Sequence, residues 1–136
     1  MYYQGWGVAK NYETAKHWFT LADKQGDRYA KDALYSLKDE IAREKQKIAA
    51  EQGDADAQFA LGKMYENGKD VSLNYKTAVK WYTLAAKQGE VNAQFALGVM
   101  YQSGIGITQH YNTAIKWYKL AAEQGSTFAQ TNLAGM

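Results

Sequence analysis

Apolar residues recur along this chain at the spacing of one helix face, and the pattern returns after 36 residues. In the segment that follows Asp54, small and apolar positions obey the i, i+3, i+4, i+7, i+8 rule for an amphipathic helix. These positions are Ala57, Ala60, Leu61, Met64 and Tyr65. Asp54 is a typical N-cap, and Gly68 tolerates the left-handed conformation that ends a helix. The pattern therefore predicts one helix between them. A second helix, from about Tyr75 to Gln88, is apolar on most of its sides.

The sequence of the second helix occurs twice with few changes, as AVKWYTLAAKQG at residues 78–89 and as AIKWYKLAAEQG at residues 114–125. A shift of 99 residues also superposes the start of the chain on the third block. A fixed period of this length is typical of solenoids, in which each helix pair buries its apolar faces against its neighbours. We therefore predict a single repeat domain over residues 1–136. Its parts are a half-repeat at 1–26, a shortened repeat at 27–53, full repeats at 54–89 and 90–125, and a half-repeat at 126–136.

The shortened repeat lacks nine residues relative to the others. Asp39-Glu40 stand where the loop would be, and Lys45-Gln46 replace the Trp-Tyr pair of the full repeats. One alternative is a tight turn that keeps the helix hairpin. The other is a continuous helix over residues 28–52, about 37 Å long, which the lack of Gly, Asn or Pro at the junction favours. An apolar stripe would then lack its hairpin partner, and this predicts a homodimer. The stripe consists of Ala30, Leu34, Leu37, Ile41 and Ile48.

The full repeats carry a dense motif. The pattern A-x-A-Q-x-x-L-G-x-x-Y occupies residues 55–65, and its copy ends at Tyr101. The motif residues that follow the copy are Gly104, Gly106, Tyr111, Ala114, Trp117 and Tyr118. This pattern resembles the Sel-one-like repeat, a relative of the tetratricopeptide repeat that occurs in bacteria and eukaryotes. The resemblance implies an all-α fold, a right-handed solenoid of antiparallel helix pairs (an α-α superhelix). Asp70 stands where the family has its second glycine, a departure that Asp tolerates at modest cost.

Composition argues against several functional classes. A net charge of +2 is too small to predict a nucleic-acid or membrane partner. No apolar run approaches the ~20 residues of a membrane-spanning helix. The chain has no cysteine, so it predicts no disulfide and no thiolate metal site. Of the two histidines, His17 falls on the polar strip of a second helix and His110 at a capping position. We therefore predict no enzyme, no cofactor and no metal site.

One face of the first helices carries aromatic residues outside the core stripe. Phe59 and Phe95 occupy equivalent positions, and Phe128 lies nearby on the next repeat, with Glu66 also on this face. Apolar clusters outside a core mark interaction surfaces. The candidate partner-binding residues are Asp56, Phe59, Lys63, Asn92, Phe95, Val99, Gln102 and Phe128. The alternative is that Phe59 and Phe95 pack between adjacent repeats. On the second helices, the apolar surroundings of Trp81 and Trp117 predict that both are buried.

These observations predict a non-catalytic interaction module or adaptor that binds a protein or peptide. The resemblance implies that the concave face, built from first helices, is the binding surface. Two alternatives are a self-assembling structural repeat and an immunity-type protein that neutralises a toxin. The first residues, MYYQGWGVAKNY, lack the apolar core of a signal peptide. A cytoplasmic location is then the default expectation, and a periplasmic or secreted one follows if the chain is a fragment.

Overall fold

The computed structural model describes residues 6–136, with side chains from Tyr12 onward. Every regular element in this part of the chain is an α-helix, which confirms the predicted all-α class. The helices are α1 (Trp6–Lys24), α2 (Arg28–Glu51), α3 (Ala55–Asn67), α4 (Tyr75–Lys87), α5 (Val91–Ser103), α6 (Tyr111–Glu123) and α7 (Thr127–Ala134). None of these helices has both the length and the apolar character needed to cross a membrane.

The chain divides into two compact units, residues 1–48 and residues 49–136. In the second unit each helix from α3 to α6 packs against the next one along the chain. This series of neighbours is a solenoid, in which α3–α4 and α5–α6 are full helix pairs and α7 begins another. The assignment of one domain to residues 1–136 stays a prediction.

The loop inside each full repeat is set by local backbone chemistry. Gly68 (φ 66°) and Gly104 (φ 71°) end α3 and α5 in the left-handed conformation. Asn74 caps α4 by accepting the Thr77 N–H, and His110 caps α6 by accepting the Thr113 N–H at its Nδ1, both at 3.1 Å. The predicted capping position of His110 is confirmed. Asp70 is also left-handed, with φ 63°, as its place in the motif predicts.

A tyrosine of the second helix packs onto a glycine of the first helix in both repeats. Tyr82 and Tyr118 are the largest side chains that the fold buries completely. A Cβ atom at Gly62 would lie 2.5 Å from Cδ1 of Tyr82, so only glycine lets the ring come this close. Gly98 receives the ring of Tyr118 in the same way. The two helices of each pair are therefore held at close range by a glycine–tyrosine contact.

The predicted burial of the tryptophans is wrong, because Trp81 and Trp117 are only half-buried. Consecutive residues on a helix point about 100° apart, so a Trp and the Tyr that follows it cannot both face the same neighbouring helix. The tyrosine occupies the glycine contact. Trp81 packs beside Ala50, Ala57 and Leu61, at the edge of a smaller apolar cluster.

Glutamine side chains connect successive repeats. The amide of Gln124 donates to the Gly89 carbonyl at 2.9 Å and to Oε1 of Gln94 at 2.8 Å. The buried Gln94 in turn donates to the Ala86 carbonyl at 3.2 Å. The same relay occurs one repeat earlier, between Gln88 and Gln58. Throughout the described side chains, every buried polar atom has a hydrogen-bond partner.

The shortened repeat is a continuous helix, because α2 runs from Arg28 to Glu51 without a break at Asp39-Glu40. The tight-turn alternative is therefore wrong. Four residues of the apolar stripe, Ala30, Leu34, Leu37 and Ile41, are buried, and Ile48 is half-buried. The stripe is thus covered in a single chain, which removes the observation that motivated the homodimer. The homodimer stays a prediction without that support.

A candidate partner-binding groove

The second unit contains a groove whose walls come from the first helix of three successive repeats. Phe59, Lys63 and Glu66 follow the i, i+4, i+7 spacing of one face of α3, and α5 presents its own residues at similar spacing. The groove has a volume of about 470 Å³. Its lining consists of Phe59, Lys63, Glu66, Tyr82, Asn92, Phe95, Ala96, Val99 and Phe128.

The aromatic rings at the groove form two contact groups. The ring of Phe95 lies 5.8 Å from that of Tyr118 and 5.8 Å from that of Phe128, while Phe59 lies 5.6 Å from Tyr82. Phe59 and Phe95 are half-buried, whereas Phe128 is 71% exposed. Phe59 and Phe95 thus pack on the tyrosine of their own repeat and also line the groove, and Phe95 contacts Phe128 of the next repeat. A role of these rings in partner binding stays a prediction.

Six of the eight predicted site residues line the groove, namely Phe59, Lys63, Asn92, Phe95, Val99 and Phe128. The other two do not. Asp56 is exposed in the first turn of α3. Gln102 is half-buried, and its Oε1 accepts the Tyr118 hydroxyl at 2.6 Å. Tyr118 of α6 contacts Gln102, and a helical wheel of α5 alone does not show which of its residues the neighbouring helix contacts.

The predicted set missed three groove residues, which are Glu66, Tyr82 and Ala96. The sequence places Glu66 on the aromatic face of α3. It does not predict Tyr82 as a groove residue, because α4 is apolar on most sides and the spacing does not distinguish one aromatic ring from another. One sequence feature could have indicated Tyr82: a glycine and a tyrosine recur together, at Gly62 and Tyr82 and again 36 residues later.

The charged groups of the groove are one carboxylate and one amine. Glu66 is half-buried, and its Oε1 accepts the Tyr82 hydroxyl at 2.6 Å. Burial raises the pKa of the Tyr82 phenol well above its ordinary value, and the bond to Glu66 adds to that rise. Lys63 is exposed, and its Nζ lies 5.8 Å from the centroid of the Phe59 ring, a cation–π distance.

The groove therefore presents aromatic surface, one amide and two opposite charges. In the described part of the chain, no group of three or more His, Asp and Glu side chains could hold a metal ion. The two histidines lie elsewhere: His17 is exposed beside Trp18 on α1, and His110 is the cap of α6.

Comparisons with known proteins agree with this architecture. The family model of the Sel1 repeat matches residues 1–27, 55–90 and 91–126. The stretch between the first two matches, residues 28–54, contains the continuous helix α2. A search of curated proteins found no match.

Solved structures of bacterial repeat proteins resemble the chain. A Sel1 repeat protein from Oxalobacter formigenes is 31% identical over 95% of this chain and 98% of its own, with a TM-score of 0.71. A protective antigen of uropathogenic Escherichia coli, with an SLR fold, is 34% identical over 85% of this chain, with a TM-score of 0.66. This chain spans only 27% of that antigen's length. Cysteine-rich protein B of Helicobacter pylori shares the fold at 24% identity, with a TM-score of 0.66 over 93% of this chain and 97% of its own. With its two full repeats, its motif residues and its solenoid, the chain belongs to the Sel1 repeat family.

Proposed function

We propose that the protein is a non-catalytic interaction module whose groove binds a segment of another protein. The observation that carries the proposal is the position of Phe128, a ring that is 71% exposed while it extends the aromatic series of Phe95. An exposed aromatic residue gains apolar contact when a partner covers it, and such residues dominate the free energy of binding at interfaces.

The dimensions of the groove are those of a ligand pocket. A volume of about 470 Å³ falls within the ~300–1,000 Å³ of typical ligand pockets. The first helices are also rigid walls, because the glycine–tyrosine contacts fix α3 against α4 and α5 against α6. A pre-formed groove loses little conformational entropy on binding, and this favours affinity.

Affinity capture with a matched pair of variants tests the proposal. Phe128→Ser removes an exposed groove residue, and Leu120→Ser removes an exposed apolar residue of α6 (44% exposed) that does not line the groove. We expect the wild type and Leu120→Ser to retain one stoichiometric protein partner, and Phe128→Ser to lose most of it. Recovery of the chain alone, as a self-associated species, would instead support the structural, self-assembling role. A partner that all three proteins retain equally would place the interface outside the groove.

The captured partner also decides the kind of module. A toxic protein whose activity the bound chain suppresses would identify an immunity role. A partner that stays active while bound, and that recruits further proteins, would identify an adaptor. An immunity protein and an adaptor would both bind their partner in the same groove, so Phe128→Ser should weaken the binding in either case.

A further inference from the structure

The two full repeats provide an internal control for the charge on Glu66. Glu66 and Gln102 are equivalent positions, 36 residues apart. Each accepts the hydroxyl of the tyrosine in its own repeat at 2.6 Å, Glu66 from Tyr82 and Gln102 from Tyr118. A neutral amide oxygen therefore suffices for this structural hydrogen bond. The negative charge of Glu66 is not needed to hold the repeat together.

The charged member of this pair is the one that lines the groove. Glu66 is part of the groove wall, whereas Gln102 is not. Among the described residues, the Tyr82 hydroxyl is the one hydrogen-bond partner of Glu66, and no cation forms an ion pair with it. Lys63, one turn away, is placed over the Phe59 ring instead. A half-buried carboxylate without a counter-ion attracts a cation strongly, because partial burial lowers the effective dielectric constant around it.

The surroundings of Glu66 favour a cationic ligand. The faces of aromatic rings attract cations, and the groove contains Phe59, Phe95 and Phe128 together with Tyr82. Lys63 lies at a cation–π distance from the Phe59 ring, and a cationic group of a ligand would use the same geometry at the other rings. An arginine or lysine side chain could use both elements at once, with its aliphatic part on the rings and its charged end on the free oxygen of Glu66.

We propose that the groove selects a protein segment in which an arginine or lysine neighbours an apolar residue, and that Glu66 is the specificity-determining residue. This inference rests on the proposed function and names the chemistry of its ligand. The apolar residue of the segment would cover Phe128, while the cationic residue would reach Glu66.

The positive charge of Lys63 disfavours a cationic ligand in the groove. Its ammonium is exposed, so water and salt screen its repulsion of a cationic ligand. Glu66 is half-buried, where the effective dielectric constant is lower and a Coulomb interaction is stronger. The balance therefore favours a basic segment over an acidic one. Lys63→Met should strengthen the binding of a basic segment, and it would weaken the binding of an acidic one.

Selection from a random peptide library displayed on phage tests the inference. Wild-type protein should enrich peptides with Arg or Lys beside an apolar residue. The Glu66→Gln variant keeps the Tyr82 hydrogen bond, as Gln102 does for Tyr118, so it should fold with unchanged stability and should enrich apolar peptides without the basic residue. Gln102→Glu is the matched control, because it adds a carboxylate outside the groove and should not raise the basic preference.

Fluorescence anisotropy with synthetic peptides then measures the size of the effect. An enriched peptide and its version with norleucine in place of the basic residue should differ by about tenfold in affinity for the wild type. The difference should vanish with Glu66→Gln and shrink as salt increases.

The outcomes separate the inference from the proposed function. Enriched peptides that need Phe128 but show no basic preference, or an acidic one, overturn the role of Glu66 and leave the groove as the binding site. A basic preference that survives Glu66→Gln also overturns it. A selection that enriches no peptide dependent on Phe128 contradicts both the inference and the proposed function.

Discussion

Residues 55–90 and their copy at residues 91–126 share an interior and differ on two surfaces. Tyr82 and Tyr118 pack on equivalent glycines, and the glutamine relay is the same in both repeats. On the first helix, Lys63 and Glu66 of the first copy become Val99 and Gln102 of the second. In the loop, Asp70 becomes Gly106. The interior is thus the part of the repeat that packing constrains.

The loop position shows how a neighbouring repeat constrains an otherwise tolerant site. Asp70 and Gly106 both adopt positive φ, at 63° and 72°. A Cβ at Gly106 would lie 2.7 Å from the carbonyl carbon and oxygen of Tyr75. Because that contact is with backbone, it cannot relax by a side-chain rotation. Gly106 therefore needs to be glycine for space as well as for backbone conformation, whereas Asp70 shows that the conformation alone does not require glycine.

The largest effects should come from the shared interior. Tyr82→Ala and Tyr118→Ala should each lower the free energy of unfolding by about 3–5 kcal/mol, since each removes a fully buried ring. We expect similar losses in the two repeats, measured by urea denaturation followed by circular dichroism. Trp81→Ala, at a half-buried site, should cost less than Tyr82→Ala. The reverse order would mean that the tryptophan and not the tyrosine holds the helix pair together.

Exchanging the loop residues should give unequal results. Gly106→Asp should destabilise the protein by about 2–3 kcal/mol, because the new side chain overlaps the Tyr75 backbone. Asp70→Gly should change stability by about 1 kcal/mol or less, since relief of the left-handed Asp is offset by the greater freedom of glycine in the unfolded chain. Thermal denaturation of the two variants checks this. Equal effects would show that the Tyr75 contact does not constrain the loop.

Alkaline pH should affect the two repeats to different extents. Burial raises the pKa of both Tyr82 and Tyr118. In the unfolded chain these phenols ionise near pH ~10, whereas in the folded protein the pKa of each is higher. Their contribution to stability is therefore complete below pH ~9 and is lost as the pH rises through ~10, by up to about 1.4 kcal/mol per pH unit for each tyrosine.

Phenylalanine variants assign this loss to each tyrosine. Glu66 raises the pKa of Tyr82 further, while the hydrogen bond from Asn132 lowers that of Tyr118. Tyr82→Phe should then remove more of the alkaline destabilisation than Tyr118→Phe does. The measurement is urea denaturation at a series of pH values from 8 to about 11. A stability that does not change with pH in this range would contradict the burial of both phenols.

The smallest effects should come from the glutamine relay. Gln88→Ala and Gln124→Ala each remove two hydrogen bonds, one to a carbonyl of the preceding repeat and one to a glutamine of the same repeat. We expect a loss of about 1–2 kcal/mol for each, similar in the two repeats. Leu84→Ala, at an exposed position of α4, is the control and should cost less. A difference of more than about 1 kcal/mol between Gln88→Ala and Gln124→Ala would show that the two relays are not equivalent.

The periodicity of the sequence was enough to predict the helices and the groove face. The 36-residue period and the helix spacing identify α3 to α7, and the junction at Asp39-Glu40, without Gly, Asn or Pro, indicates the continuous helix α2. Six groove residues followed from the aromatic positions off the core stripe. Each of these features depends on residues within one helix, so the sequence of that helix is enough to predict it.

The packing between helices could not be predicted from the periodicity of the sequence. Tyr82 is buried more deeply than Trp81, and Gln102 is absent from the groove lining; both depend on how one helix is rotated against the next. The stripe of α2 was expected to be uncovered because its hairpin partner is missing, yet Leu34 and Ile41 are buried. Spacing along the chain defines the apolar face of a helix but not what covers it.

Site-specific photo-crosslinking tests the central claim, that the groove is where a partner binds. Benzoyl-phenylalanine would replace Phe128 in one sample and Leu120 in another, and both proteins would be irradiated in cells that produce them. The groove account predicts a covalent adduct with one partner protein from position 128 and none from position 120. An adduct from position 120 alone, or only adducts of the chain with itself, would contradict it.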